Sequence, residues 1–150
     1  KTLSLVPHTG MAIAIDIGDP INVHPKNKQE VGRRLARWAK RDHYGDKDIE
    51  VSGPIYESNA VESGRLRVKF THLGGGLMAK DGELKGFAIA GADKVFRWAN
   101  AEIDGDTVVV WSDQIAEPRF VRYAWANNPE CTLYNGAGLP AVPFRTDEDP

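Results

Sequence analysis

The chain has a single cysteine, Cys131, so no internal disulfide framework can hold it together. That leaves the compartment open, because secreted proteins need not contain disulfides. No apolar run approaches the length that spans a membrane. Lysines and arginines are dispersed along the chain. With a formal charge of -2 and a pI of about 6.1, no basic field invites nucleic acid or an anionic membrane surface. The opening KTLSLVPHTG lacks the apolar core of a signal peptide and does not begin with methionine, so a processed or cut chain is expected. Internal repeats are absent. What remains is 150 residues with 41% apolar content, enough for one ordinary domain or two small ones with a real core.

Met11 to Ile15 (MAIAI) is a short unalternated apolar run bounded by Asp16 and Gly18, the pattern of a buried parallel strand. The loop GDPINVHP follows, and its two prolines exclude a helix there. Asn27 and Glu30 are spaced as a capping box, so a helix should start at this point with the acid near its positive dipole end. Val31, Leu35, Trp38 and Ala39 fall on one face, while Arg33, Arg34, Arg37 and Lys40 face elsewhere. Gly45 suits the left-handed cap that ends the helix. Residues 1–50 therefore read as the last strand-loop-helix unit of an α/β sheet. One such unit alone leaves Met11–Ile15 without a neighbour to pair with. The rest of that sheet is expected in an upstream part of the same protein, either continuous with this chain or separated from it by cleavage.

From residue 51 the period changes. GRLRVKFTH alternates Leu66, Val68 and Phe70 against Arg65, Arg67 and Lys69, a half-buried strand. LKGFAIAG and KVFRWANAEI read as further strands, and Asp104-Gly105 between apolar runs signals a hairpin. RFVRYAW is another strand, with Val121, Tyr123 and Trp125 on its core face. Residues 51–150 thus read as a β-sandwich domain. Its Pro-, Gly- and Asn-rich tail, from Asn127, should wrap it as ordered loop, and the last residues, TDEDP, are expected to fray.

His24 lies in the loop after the expected strand, and ligands of open α/β sheets bind beyond the carboxyl ends of strands. A histidine there can take a proton from a serine hydroxyl if a carboxylate holds its other ring nitrogen. Asp19 and Asp16 are both close enough in sequence to serve. Taken alone, however, the spacing favours the plainer role of a loop histidine with turn-capping aspartates.

The wording of the chain adds to this. TGMAIAIDIGD and HPKNKQEVGRRLARWA, then GELKGFAIAG, VRYAWANNP and LYNGAGLPAVPFRTD, together resemble the sialate O-acetylesterase family of the SGNH-hydrolase group, in order and over nearly the whole chain. The resemblance implies an SGNH-type α/β core completed by residues 1–50, followed by the sandwich. It implies a serine esterase that removes O-acetyl groups from carbohydrates, O-acetylated sialic acid foremost, with His24 as general base. No metal or organic cofactor is implied. The family suggests a secreted, periplasmic or lysosomal setting.

Two departures are informative. Many SGNH hydrolases place the supporting aspartate three residues before the histidine, where this chain has Ile21. Asp19 is then the preferred orienting carboxylate, with Asp16 behind it, and a Ser-His dyad held by a backbone carbonyl is the alternative. The family nucleophile belongs to a Gly-Gln-Ser-Asn-like segment that does not occur here. Ser4, Ser52, Ser58, Ser63 and Ser112 all lack a nucleophile context, so the nucleophile is expected outside this chain. A non-catalytic carbohydrate-binding β-sandwich is the competing reading.

Other constellations are weaker. His8, His24, His43, His72 and Cys131 match no zinc spacing. His72 precedes Gly74-Gly75-Gly76, but no Gly-Lys-Ser/Thr follows. Trp98, Trp111, Tyr123, Trp125 and Tyr134 offer faces to sugar C–H surfaces, although core packing accounts for most of them. Arg145 could meet a carboxylate or form an internal salt bridge.

Overall fold

The computed structural model describes residues 5–147. Among the described residues, one helix, α1 (Lys28–Asp42), precedes ten strands. The helix starts where the Asn27–Glu30 spacing places it, with the Asn27 side chain accepting from the Glu30 backbone N–H at 3.1 Å, but the box is half formed because the Glu30 carboxylate turns to Arg33 and Arg34. It stops at Gly45, which takes φ +82°, while the His43 and Tyr44 amides donate to the Ala39 carbonyl.

The burial of α1 departs from the amphipathic reading. Leu35 is 47% exposed and Ala39 is exposed, whereas Arg34 is buried. The described residues cover the apolar stripe only in part, with Val31 and Trp38 half-buried, and Arg34 turns inward because its counter-charge lies there. Met11–Ile15, expected as a strand, is not one. A strand needs a neighbour, and no described strand runs beside this segment. Its carbonyls are met by the helix instead: Trp38 Nε1 donates to Met11 O at 3.0 Å, and Arg34 Nη1 donates to Ile13 O. Gly10 permits this approach, since a Cβ there would meet Trp38 Cγ at 2.5 Å. No parallel pairing occurs among the described strands, so the expected α/β sheet is not formed by these residues.

The strands make two antiparallel four-stranded sheets and a short pair. The first sheet contains β1 (Ile55–Glu62), β2 (Arg65–Thr71), β6 (Asn100–Asp104) and β7 (Thr107–Trp111) in the order β1-β2-β7-β6. The second contains β4 (Phe87–Ala90), β5 (Arg97–Trp98), β8 (Phe120–Tyr123) and β10 (Phe144–Arg145) in the order β10-β8-β4-β5. The pair is β3 (Leu77–Ala79) with β9 (Leu133–Asn135). The β6–β7 hairpin turns through Gly105-Asp106, with Gly105 at φ +58°.

Alternation in β2 buries Leu66, Val68 and Phe70, as expected. They meet Val108 and Val110 of β7 and, from the other sheet, Phe87, Ile89, Val121, Tyr123 and Phe144. Residues from both sheets thus close one sandwich-like core. Trp125 was expected on this face, but Ala124 takes φ +50° and ends β8, leaving Trp125 half exposed. The tail is more than wrapping loop, because it supplies β9, β10 and the buried Leu133, Tyr134 and Leu139. Nor does it fray at Thr146 and Asp147. Thr146 Oγ1 accepts from the Val121 amide, and buried Asp147 pairs with Arg122 and Arg145. Residues 148–150, also expected to fray, lie outside the described residues.

Fully buried Asn135 stitches three loops together. Its Nδ2 donates to Ser52 O and His72 O, each at 2.9 Å, and its Oδ1 accepts from the Leu139 amide at 3.0 Å. Gly53 allows the junction to close, for a Cβ there would sit 2.0 Å from Pro140 O. Asn135→Ala leaves these backbone groups without partners. We expect it to cost about 2–4 kcal/mol, read as a lower denaturant midpoint at unchanged slope.

Candidate active site

The loop that carries His24 is anchored at both ends and bare between them. At its start, Asp16 forms a two-pronged ion pair with Arg34: Nη1 to Oδ1 at 2.6 Å and Nη2 to Oδ2 at 2.8 Å. The two side chains are only 6% and 8% exposed, Arg34 and Asp16 respectively. Arg34 Nε also donates to Glu30 Oε1 at 3.1 Å, one turn earlier on α1. Tyr134 Oη of β9 donates to Asp16 Oδ2 at 3.1 Å, across 118 residues of chain. Burial opposes ionisation of Asp16, but the Arg34 bonds and charge outweigh it and hold the carboxyl below its ordinary range. Burial, with the Asp16 charge beside it, pushes the Tyr134 phenol well up, so it stays a neutral donor.

Between these anchors the backbone folds on itself. The Ile21 amide donates to Asp19 Oδ1 at 3.1 Å, and the His24 amide donates to Asn22 Oδ1 at 2.9 Å. The loop ends at the Asn27 cap. His24 is exposed, and its ring has no hydrogen-bond or ion-pair partner among the described residues. Ile21 and Val23 beside it are 95% and 88% exposed.

The structure does not bring Asp19 to the His24 ring. Its second oxygen pairs with exposed Lys26 at 3.2 Å. Asp16, the second candidate, has both oxygens committed to Arg34 and Tyr134, so it positions the loop and is not free to hold an imidazole. Sequence reasoning missed Arg34 and Tyr134, because nothing in a helical arginine or a tail tyrosine marks it as a partner of Asp16. None of the described serines bonds His24, and Ser4 lies outside the described residues. Ser52 is buried, and Ser112 Oγ accepts from the Gln114 amide. Arg145 forms the internal salt bridge, to Asp147 at 3.3 Å. His72 takes φ +59° ahead of the glycines and bonds Thr71. No cluster of three or more His, Cys, Asp or Glu side chains suited to a metal occurs among the described residues.

The depressed Asp16 pKa makes a pH prediction. A carboxylate whose folded pKa lies below its unfolded value stabilises the fold above the unfolded pKa, and that contribution is lost as pH falls through the folded one. Asp16→Asn should therefore destabilise the protein by about 3 kcal/mol at neutral pH, because Arg34 loses its main counter-charge. The gap between wild type and variant should narrow on acidification below about pH 4. Chemical denaturation of both proteins across the pH range checks this.

No family model matches the chain. The sialate O-acetylesterase of Pongo abelii is 30% identical over 97% of this chain, and the Mus musculus protein is 28% identical over 93%. The crystal structure of a carbohydrate acetylesterase from Xanthomonas citri superposes with a TM-score of 0.91 and 44% identity over 97% of this chain. The match covers 31% of the Pongo abelii protein, 28% of the mouse protein and 34% of the Xanthomonas citri chain. No described helix is long and apolar enough to cross a membrane. The chain is homologous, over almost all of its own length, to about a third of the sialate O-acetylesterases and of this carbohydrate acetylesterase.

Proposed function

We propose that this chain is the C-terminal part of a serine esterase that removes O-acetyl groups from carbohydrates, O-acetylated sialic acid foremost, with His24 as its general base. The observation that carries the reading is the unengaged imidazole of His24, held out on a loop whose two ends are fixed by Asp16–Arg34 and the Asn27 cap. A base must come within hydrogen-bond reach of the proton it takes, and an imidazole exposed on a loop is open to such an approach.

The nucleophile, in this reading, is a serine in the upstream part of the same protein, continuous with this chain or cleaved from it. Exposed Ile21 and Val23 on the loop, and Leu35 on α1, support this, since each leaves an apolar side chain for that part to cover. Residues 1–50 would then complete the SGNH-type core and residues 51–150 form the β-sandwich domain beside it. Asp19 is the proposed orienting carboxylate. Its pair with exposed Lys26 is of the weak surface kind, so transfer to the His24 ring costs little once the upstream part is in place.

The chemistry balances as two acyl transfers. His24 takes the serine proton as the oxygen attacks the acetyl carbonyl, then gives it to the departing sugar oxygen. His24 next takes a proton from water, whose oxygen attacks the acetyl-serine and releases acetate. The proton returns to the serine. No cofactor enters this sequence.

In the complete protein, His24→Ala should lower kcat for 4-nitrophenyl acetate and for an O-acetylated sugar by roughly 10² or more. Asp19→Asn should lower it by a smaller factor while leaving KM nearly unchanged. An unchanged rate in the His24 variant would remove the base assignment.

A further inference from the structure

Three of the four tryptophans are accounted for by their neighbours. Trp38 donates to Met11 O, Trp111 lies under the Arg65 guanidinium at 4.5 Å, and Trp125 lies 5.7 Å from that of Arg145. Trp98 is different. It sits on β5, a two-residue strand at the edge of the second sheet, and is 72% exposed. Its backbone pairs with Ala88 of β4, but among the described residues its indole has no hydrogen bond and no ring contact. An indole left bare in this way presents a broad apolar face on the sandwich surface.

A cleft of about 570 Å³ opens beside it, lined by Trp98, Trp111, Asn100, Asn128, Lys85 and Glu130 among others. Small residues, Ala99 and Ala101, leave the room. The amide side chains of Asn100 and Asn128 have no partners among the described residues, so both present donors and an acceptor to the cleft. Among the described residues of the wall Lys85 is the one cation, and it is already matched, by Glu130 at 2.8 Å and Glu83 at 3.5 Å. The wall thus carries a slight negative excess.

Flat aromatic faces with open amides and carboxylates suit a ligand that has one C–H face and a rim of hydroxyls. No described lining residue offers an unmatched cation, which disfavours an acidic ligand; Arg65, held on the Trp111 ring, is not among them. None of the lining residues belongs to the segment that carries His24. We propose that this cleft is a second carbohydrate site, which holds a neutral oligosaccharide segment with Trp98 as its platform. The choice of a sugar over another flat ligand rests on reading the chain as part of a carbohydrate acetylesterase.

The test is calorimetric titration of the complete protein with neutral, unacetylated hexasaccharides from xylan, mannan and β-glucan, with sialyllactose as the acidic comparison. At least one neutral hexasaccharide should bind at sub-millimolar concentration. Trp98→Ala should weaken it about tenfold or more, Asn100→Ala with Asn128→Ala together should weaken it too, and Trp98→Phe should retain part of the affinity. Circular dichroism should show every variant folded. No neutral binding at millimolar sugar, undiminished binding by Trp98→Ala, preference for sialyllactose, or unfolding of the Trp98 variant would each overturn the proposal. Wild-type hydrolysis of 4-nitrophenyl acetate tests the esterase reading separately. Glycan binding without hydrolysis retains the cleft and removes the esterase, and hydrolysis without glycan binding does the reverse.

Discussion

Arg34 brings a charge that it cannot shed into a place almost closed to water, and much of the arrangement around it answers that constraint. Its partners come from different parts of the chain. Asp16 and the Ile13 carbonyl belong to the segment before the His24 loop, and Glu30 belongs to the helix after it. Through Asp16 the cluster reaches Tyr134, on a strand of the tail. One buried cation therefore fixes both ends of the loop relative to the sandwich. The loop itself supplies only local turns, from Asp19 and Asn22, and its side chains are left outward.

Apolar exposure is unevenly distributed. Leu5, Val6, Met11, Ile21, Val23 and Leu35 all lie ahead of the sandwich, whose own core is sealed by residues from both sheets. An isolated exposed apolar side chain needs no explanation, but Ile21 and Val23, both almost fully exposed on the one loop, do. The homologues are about three times as long as the stretch they share with this chain, which accords with a surface built to be covered. The cleft at Trp98 has another character. Its aromatic rings and small apolar residues are accompanied by open amides and paired charges.

Much of the sandwich and the helix start was legible in the residues alone. Alternation along Leu66, Val68 and Phe70 has period two, and a strand with one wet face can satisfy it in only one orientation. The Asn27–Glu30 spacing places a cap because the bond closes within three residues. The Gly105 turn is similarly local. His24 was legible as a candidate from its loop and from the phrase around it. Its free ring was not, because a ring without partners is a property of everything nearby.

Where the reading departed from the fold, long-range partners decided. Met11–Ile15 has strand chemistry but no strand neighbour, so Trp38 and Arg34 take its carbonyls. Trp125 has the right parity for the core, yet Ala124 turns the backbone and sends it outward. Asp147 looked like part of a frayed end until Arg122 and Arg145 met it. The sequence by itself determined what is closed by bonds a few residues apart or by strict alternation: the helix cap, the hairpin turn and the buried face of β2. Only the tertiary structure decided which charges meet, since the Arg34–Asp16–Tyr134 cluster joins groups 18 and 118 residues apart, and no local pattern records so distant a partner.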